Sequence, residues 1–261
     1  MSEFVQLAVA DGVARLTLDR PDKRNALRRE IIESLLQGVQ QVANDTSIRV
    51  LVLQATGKVF CAGMDLGQMQ ERAESAASAD EWQRDSQVYR DLLVAIHQLE
   101  IPVIAALQGP ALAGGVGLVV ACDIVIASEE AFFMLPEPMR GITAAMVTPF
   151  LVHRIGAGPA TYMLLSNERI AAAHSFGLCH DVVPPDRLES RVDELVNSIL
   201  GGSRSAFSIT KSHIAACSPG NLIELVDQSI SVSARARETD DAREGLAAFL
   251  EKRKTSWQTS S

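Results

Sequence analysis

Aromatic side chains are scarce in this chain of 261 residues: they make up 5%, with two tryptophans and two tyrosines among them. A core so poor in rings has to be packed from aliphatic layers, and Ala, Val, Leu and Ile are plentiful. The four cysteines (Cys61, Cys122, Cys179, Cys217) stand far apart with no Cys-x-x-Cys pair. That spacing argues against a disulfide framework or a metal site and suits a reducing cytosol. Cations are short as well, the formal net charge being −8, so the chain repels phosphate backbones at long range and nucleic acid is not an expected partner. The opening MSEFVQLAVADG has neither a basic n-region nor a long apolar h-region. An unbroken membrane-spanning run is missing too. Ile101–Ala127 is apolar, but Gln108, Asp123 and a glycine cluster interrupt it, so it reads as strand–loop–helix–strand. A cytoplasmic protein with no membrane partner is expected. At 47% hydrophobic and 21% charged, the composition is that of a folded globular chain.

What is present is periodicity. Phe4–Asp19 alternates apolar and polar residues around Asp11-Gly12, the mark of a hairpin, and Pro21 ends it. Asn25 then precedes a helical pattern with Ile31, Leu35 and Val39 at intervals of four. Ile48–Leu53 is continuously apolar, as in a strand buried on both faces. The stretch Glu71–Ser86 shows no firm period and reads as an insert, whereas Val88, Leu92, Leu93, Ile96 and Leu99 mark a helix closed by Pro102. Val103–Ala106 reads as a strand, Gly109–Gly115 as a loop, Val116–Ala121 as a helix and Ile124–Ala127 as a strand. Strand and helix patterns alternate to about residue 185 and become helical only from Arg187 on, with Pro219-Gly220 as punctuation. The reading is an α/β core over 1–186 with a helical region over 187–261.

Two glycine-containing loops stand between a strand and a helix: Phe60-Cys61-Ala62-Gly63-Met64-Asp65-Leu66, and Gly109-Pro110-Ala111-Leu112-Ala113-Gly114-Gly115-Val116-Gly117. Small residues let a ligand approach the backbone, and a helix start offers unpaired N–H groups. Two such loops would aim two donors at one oxygen, the geometry of an oxyanion hole. For the glycines taken alone, tight turns packing helix on sheet are the favoured explanation. Neither loop has the G-x-G-x-x-G or Gly-Lys-Ser/Thr phosphate pattern. A third element, Leu135-Pro136-Glu137-Pro138-Met139-Arg140-Gly141, sets a carboxylate between prolines, which restricts its backbone and suits an acid/base group. Cys61 beside the first loop reads as packing, and His97, His153, His174, His180 and His213 lack the spacing of a metal site or triad.

In combination, Asp-Arg-Pro-Asp-Lys-Arg-Asn-Ala-Leu (19–27), Cys-Ala-Gly-Met-Asp-Leu, the Ala-Gly-Gly loop with its Ala-Cys-Asp (121–123), the Pro-Glu loop and Glu-Gly-Leu-Ala-Ala-Phe-Leu-Glu-Lys-Arg (244–253) resemble the enoyl-CoA hydratase/isomerase (crotonase) family. The resemblance covers nearly the whole chain. It implies an α/β crotonase (ClpP-like) superhelix of repeated β-β-α units in two roughly perpendicular sheets, with a helical C-terminal region, assembled as a homotrimer or dimer of trimers. It implies that the backbone N–H groups of Met64 and Gly114 form the oxyanion hole for a thioester oxygen, with Gly115 beside them, and that Glu137 transfers the proton. Lys23 and Arg24 would meet the CoA phosphates next to Ala26, while Ala62, Gly63, Asp65 and Leu66 would line the adenine and pantetheine path. Phe249 and Lys252 would complete the CoA site, often that of a neighbouring subunit. No cofactor is implied, coenzyme A being part of the acyl-CoA substrate, and no metal.

The chain departs from the best-known hydratases at Gly117, where those carry a second glutamate. Two carboxylates suit the addition of water; one suits shuttling a proton between α and γ carbons. A branch of the family acting on branched, carboxylated enoyl-CoA also has glycine there, and Gly114–Val119 with Val147–Val152 is similar to it. Arg140 would then meet a substrate carboxylate, or else form a surface salt bridge. The resemblance therefore implies a 2-enoyl-CoA hydratase through a stabilised enolate, with a Δ3-Δ2-enoyl-CoA isomerase using Glu137 alone, or a CoA-binding protein that has lost catalysis, as alternatives.

Overall fold

Alternation over the first residues produces the expected hairpin: β1 (Val5–Ala10) pairs antiparallel with β2 (Val13–Leu18), Leu7 opposite Leu16. The computed structural model describes residues 2–73, 78–218 and 220–258. Helix α1 (Arg29–Asn44) buries Ile31, Ile32, Leu35, Val39 and Val42 and leads into β3 (Val50–Ala55). Then come α2 (Leu66–Ala73), α3 (Ser78–Gln98), β4 (Val103–Leu107), β5 (Ala111–Leu112), α4 (Gly114–Ala121), β6 (Ile124–Ser128) and β7 (Phe132–Met134). The chain continues through α5 (Thr148–Ile155), α6 (Ala157–Leu165), β8 (Ile170–Ala171) and β9 (Asp181–Val183). It closes with α7 (Leu188–Leu200), α8 (Arg204–Cys217), α9 (Leu222–Arg237) and α10 (Asp240–Leu250). Among the described residues the strands form a six-stranded sheet, β1-β2-β3-β4-β6-β9, parallel beyond the first pair, and a three-stranded sheet, β5-β7-β8.

The continuous apolar strands are buried on both faces, as their composition requires. Leu51, Leu53, Val103, Ala105, Leu107, Val125 and Ala127 join the main core with α1, α3 and α4. Their neighbours Val50, Val52, Ile104, Ala106 and Ile126 point the other way, onto Leu188, Val192, Val196 and Ile199 of α7. Helix α9 packs along α3, and α10 lies against α2 and the turn Glu137–Arg140.

Three places differ from their sequence reading. Asn25 caps no helix, since α1 starts four residues later with Arg28 at its N-cap. Asn25 is instead fully buried at φ 54°, a left-handed conformation that asparagine tolerates. Its Oδ1 accepts from the N–H of Arg20 (2.8 Å), and its Nδ2 donates to the carbonyls of Thr56 (2.9 Å) and Val59 (2.8 Å). Removing it strands a donor and two acceptors, so Asn25→Ala is expected to lose about 2–4 kcal/mol of stability in urea unfolding. A loss near zero would show that the loop re-forms without the side chain.

The supposed insert Glu71–Ser86 is helical where it is described, as the end of α2 and the start of α3; residues 74–77 lie outside the described residues, as does Pro219. The period is there, but it is carried by Trp82, Ser86 and Tyr89, all buried, and a buried serine breaks an apolar count. Ion pairs anchor the segment: Arg29 meets Glu81 (2.7 Å) and Asp85 (2.5 Å), and Arg72 meets the same two carboxylates. The expected loop Gly109–Gly115 also holds β5, and α4 begins inside it at Gly114.

Candidate active site

Parallel strands deliver their following loops to one edge of a sheet, and three such loops meet here. Cys61 bridges to Ala111, and Ala111 pairs with Phe133. This ladder aligns the segment leading to Met64 with those leading to Gly114 and Glu137. On its other side Leu27 bridges to Met64: its N–H donates to the Gly63 carbonyl (2.8 Å) and its carbonyl accepts from Asp65 (2.9 Å). Gly63 has no alternative here, because its φ is +83° and a Cβ would lie 2.7 Å from that of Ala113 and 3.1 Å from the Gly114 nitrogen. Ala113 holds φ 50°, ψ −124° before α4, a backbone state unusual for a residue with a Cβ, and its N–H is tied to the Met134 carbonyl (2.9 Å).

Met64, Gly114 and Glu137 line one cavity of about 70 Å³, together with apolar side chains such as Leu66, Met69, Ile142 and Met146 and the polar Tyr89, Thr143, Arg140, Ser233 and Arg237. Among the described residues, neither the Met64 nor the Gly114 N–H donates to a backbone carbonyl. Gly114 is also the first residue of a helix, where unpaired amides favour negative charge. Glu137 is 7% exposed at the start of its turn, and its Oε2 is buried without a hydrogen-bond partner. Burial raises its carboxyl pKa to about 7, only partly opposed by Arg140 and Arg237. A carboxylate so poised exchanges protons readily near neutrality.

That shift makes stability depend on pH. Folded Glu137 titrates near 7 against an ordinary 4.5, so wild type is fully spared the burial penalty only below 4.5 and carries all of it above 7. Glu137→Gln is therefore expected to gain stability over wild type as pH rises through that window, reaching about 3 kcal/mol at pH 8. Urea unfolding of both proteins at pH 5 and pH 8 checks this; a difference that stays constant would refute it.

The other expected site residues are placed unequally. Lys23 and Arg24 are exposed, and the Arg24 carbonyl accepts from the Ala62 N–H (3.0 Å), so their loop adjoins the first glycine loop. Ala26 lies partly buried in that loop, while Ala62 and Leu66 reach the cavity wall. The Asp65 carboxylate is occupied: it pairs with Arg20 (2.7 Å) and accepts from the Gln68 N–H (3.1 Å) at the start of α2. These partners outweigh burial and hold its pKa below the usual carboxylate range. Gly115 is a contact of α4 with the first loop, since a Cβ there would lie 2.5 Å from the Cys61 carbonyl oxygen. Cys61 itself is buried, its thiol pushed up to about 12, which fits packing and not nucleophilic chemistry. Phe249 is half exposed, with the Arg140 guanidinium stacked over its ring at 4.6 Å, and Lys252 is exposed beyond α10. Arg140 forms no surface salt bridge; its Nε is buried and its Nη1 donates to the Pro136 carbonyl (3.2 Å).

Two cavity residues escaped the sequence reading. Tyr89, buried on α3, donates its hydroxyl to the Gly114 carbonyl, and burial first, then Cys61 and Glu137, push its pKa well up. Arg237, in the last turn of α9, donates Nη1 to Ser86 (3.0 Å) and to Ser233, and lies over the Trp82 ring at 5.5 Å. Nothing in the local sequence distinguished Arg237 from a solvated helix arginine. Tyr89 was legible only as one more position on an apolar helix face.

A carboxyl group near neutrality in a cavity shared with amides that no backbone carbonyl claims could serve proton transfer next to a carbonyl whose oxygen gathers charge. The sequence profile of the enoyl-CoA hydratase/isomerase family matches residues 8–260. A putative enoyl-CoA hydratase from Thermus thermophilus is 33% identical over 92% of this chain and 95% of its own. The 2,3-dehydroadipyl-CoA hydratase of Escherichia coli is 33% identical, with 97% of each chain covered. The crystal structure of an enoyl-CoA hydratase from Mycobacterium avium superposes at a TM-score of 0.85 and 33% identity, covering 98% of this chain and 100% of the other. The chain belongs to the enoyl-CoA hydratase/isomerase family and is an enzyme of the crotonase fold. Among the described residues no helix is long and apolar enough to cross a membrane.

Proposed function

We propose that the protein hydrates a 2-enoyl-CoA thioester, with Glu137 as the acid/base group. The carrying observation is the buried Glu137, with a carboxyl pKa near 7, in the cavity that Met64 and Gly114 also line. The Glu137 carboxylate takes a proton from water, and the oxygen of that water bonds to the β carbon. The π electrons move onto the thioester oxygen, where the two N–H groups stabilise the charge. The α carbon then takes the proton back from Glu137. One such amide is worth roughly 2.7–4 kcal/mol to the transition state. Lys23 and Arg24 would hold the CoA phosphates in an otherwise acidic chain, and Ala62 and Leu66 the pantetheine arm. Half-exposed Phe249 and Leu250 on α10 would join the contacts of a trimer or dimer of trimers. Support for hydration comes from the relatives that carry the hydratase name at 33% identity.

Isomerisation of a 3-enoyl-CoA is the second reading. It is favoured by Tyr89, whose hydroxyl crowds Gly117, the place of the usual second carboxylate, and is already committed to Gly114. Incubation with crotonyl-CoA and with a 3-enoyl-CoA, followed by chromatography and mass spectrometry, separates the two. A gain of one water from crotonyl-CoA is expected. A same-mass product from the 3-enoyl ester alone would replace hydratase by isomerase, and binding without turnover of either would leave a CoA-binding protein.

A further inference from the structure

Arg140 and Arg237 line the same cavity as Glu137, and both are held in place by uncharged partners. Arg237 is fixed through Nη1 by the hydroxyls of Ser86 and Ser233, which also bond each other (3.1 Å), and its Cζ lies over the Trp82 ring at 5.5 Å. Arg140 is fixed through Nη1 by the Pro136 carbonyl and by the Phe249 ring. In each guanidinium the Nε is buried with no hydrogen-bond partner. Neither side chain forms an ion pair among the described residues: Asp85 is already taken by Arg29 and Arg72, and Glu137 acts on both guanidinium groups only through space, one carboxylate against two cations. Burying two cations with open donors beside a single carboxylate leaves one positive charge unmatched, which is unfavourable unless a further anion meets it. The Nε edge of a guanidinium matches the two oxygens of a carboxylate.

We propose that Arg237 and Arg140 form a subsite for a second, distal carboxylate on the acyl group, so that the preferred thioesters are ω-carboxylated. This rests on the thioester reading above and adds the acyl class. The CoA phosphates are the other anions such a ligand carries, and CoA alone distinguishes them. The subsite places a requirement on what precedes this enzyme: a reaction that delivers a thioester of a dicarboxylic acid.

Saturated esters test the subsite without any turnover. Calorimetric titration of the full-length protein would compare adipyl-CoA with hexanoyl-CoA, glutaryl-CoA with pentanoyl-CoA, and CoA itself. The acid of at least one pair is expected to bind about 10- to 100-fold more tightly than its neutral partner. Arg237→Met and Arg140→Met should each bring that ratio towards one while affinity for CoA stays as it was. Arg237→Lys, which keeps the charge and loses the fork, should recover part of the ratio and guards against a variant that simply misfolds. Equal affinity within both pairs for wild type overturns the proposal, as does a preference that survives both methionine variants. Weakened binding of CoA alone in those variants would reassign the arginines to its phosphates and also overturn it. If none of the esters binds, the thioester site itself fails, and the subsite with it.

Discussion

Glu137→Gln is expected to lower turnover by roughly 10²–10⁴-fold, the range removed when a positioned acid/base group is lost. The amide has nearly the shape of the carboxyl group, so the turn Glu137–Arg140 and its flanking prolines have no reason to move. Binding of CoA should change little, because the cations assigned to its phosphates, Lys23 and Arg24, lie on another loop. Urea unfolding separates this loss from unfolding, since the same variant is expected to gain stability relative to wild type as pH rises to 8. Activity and stability move in opposite directions. In wild type, kcat/KM should rise with pH through a midpoint near 7, because the carboxylate must be ionised to accept the first proton. A variant with full activity, or a flat profile through neutrality, would remove Glu137 from the chemistry.

The parts of this site were legible in the sequence only through their motifs in combination. Gly63 was named only through the resemblance of its loop, and the structure supplies the physical reason: a positive φ and a contact with Gly114 that leave no room for another residue. Glu137 between its prolines reads, taken alone, as a solvated turn residue, and only the combination of motifs singled it out. The strands β3, β4 and β6 were readable because burial on both faces leaves no polar position to confuse the period. Asn25 was misplaced for the opposite reason. Asparagine before a helical pattern suits a cap, and only the fold reveals that Thr56 and Val59 need its donors. The start of α3 was missed because its inward face mixes Trp82, Ser86 and Tyr89, and Ser86 is there to bond Ser233 and Arg237 of α9. A partner more than a hundred residues away leaves no trace in local periodicity. Arg237 is illegible for the same reason: its partners come from α3 and its own helix, and its role depends on which cavity they close.

Gly117→Ala is expected to destabilise the protein and slow it, and Tyr89→Phe to relieve most of that damage. A Cβ at Gly117 would lie 2.1 Å from the Tyr89 hydroxyl oxygen, a distance that forces one of them to move. The hydroxyl has little freedom, being buried and donating to the Gly114 carbonyl beside the proposed oxyanion donor. Pushing it away should cost about 1–3 kcal/mol in packing and disturb the loop that sets the Gly114 amide. With phenylalanine at 89 the nearest ring carbon would be 3.2 Å from the new Cβ, tight but within reach of a small adjustment. Tyr89→Phe alone should be mildly harmful, by about 0.5–1.5 kcal/mol for one hydrogen bond. The same change is thus expected to hurt wild type and to help Gly117→Ala, so urea unfolding of the four proteins should show a coupling of about 0.5–3 kcal/mol. Additive effects would mean that the two residues do not compete for the space. Competition also explains the departure at Gly117 from the two-glutamate pattern: tyrosine at 89 and a carboxylate at 117 are alternatives. Introducing the second acid would take both changes together, Gly117→Glu with a small residue in place of Tyr89, because either alone leaves a clash or an unfilled space beside Gly114.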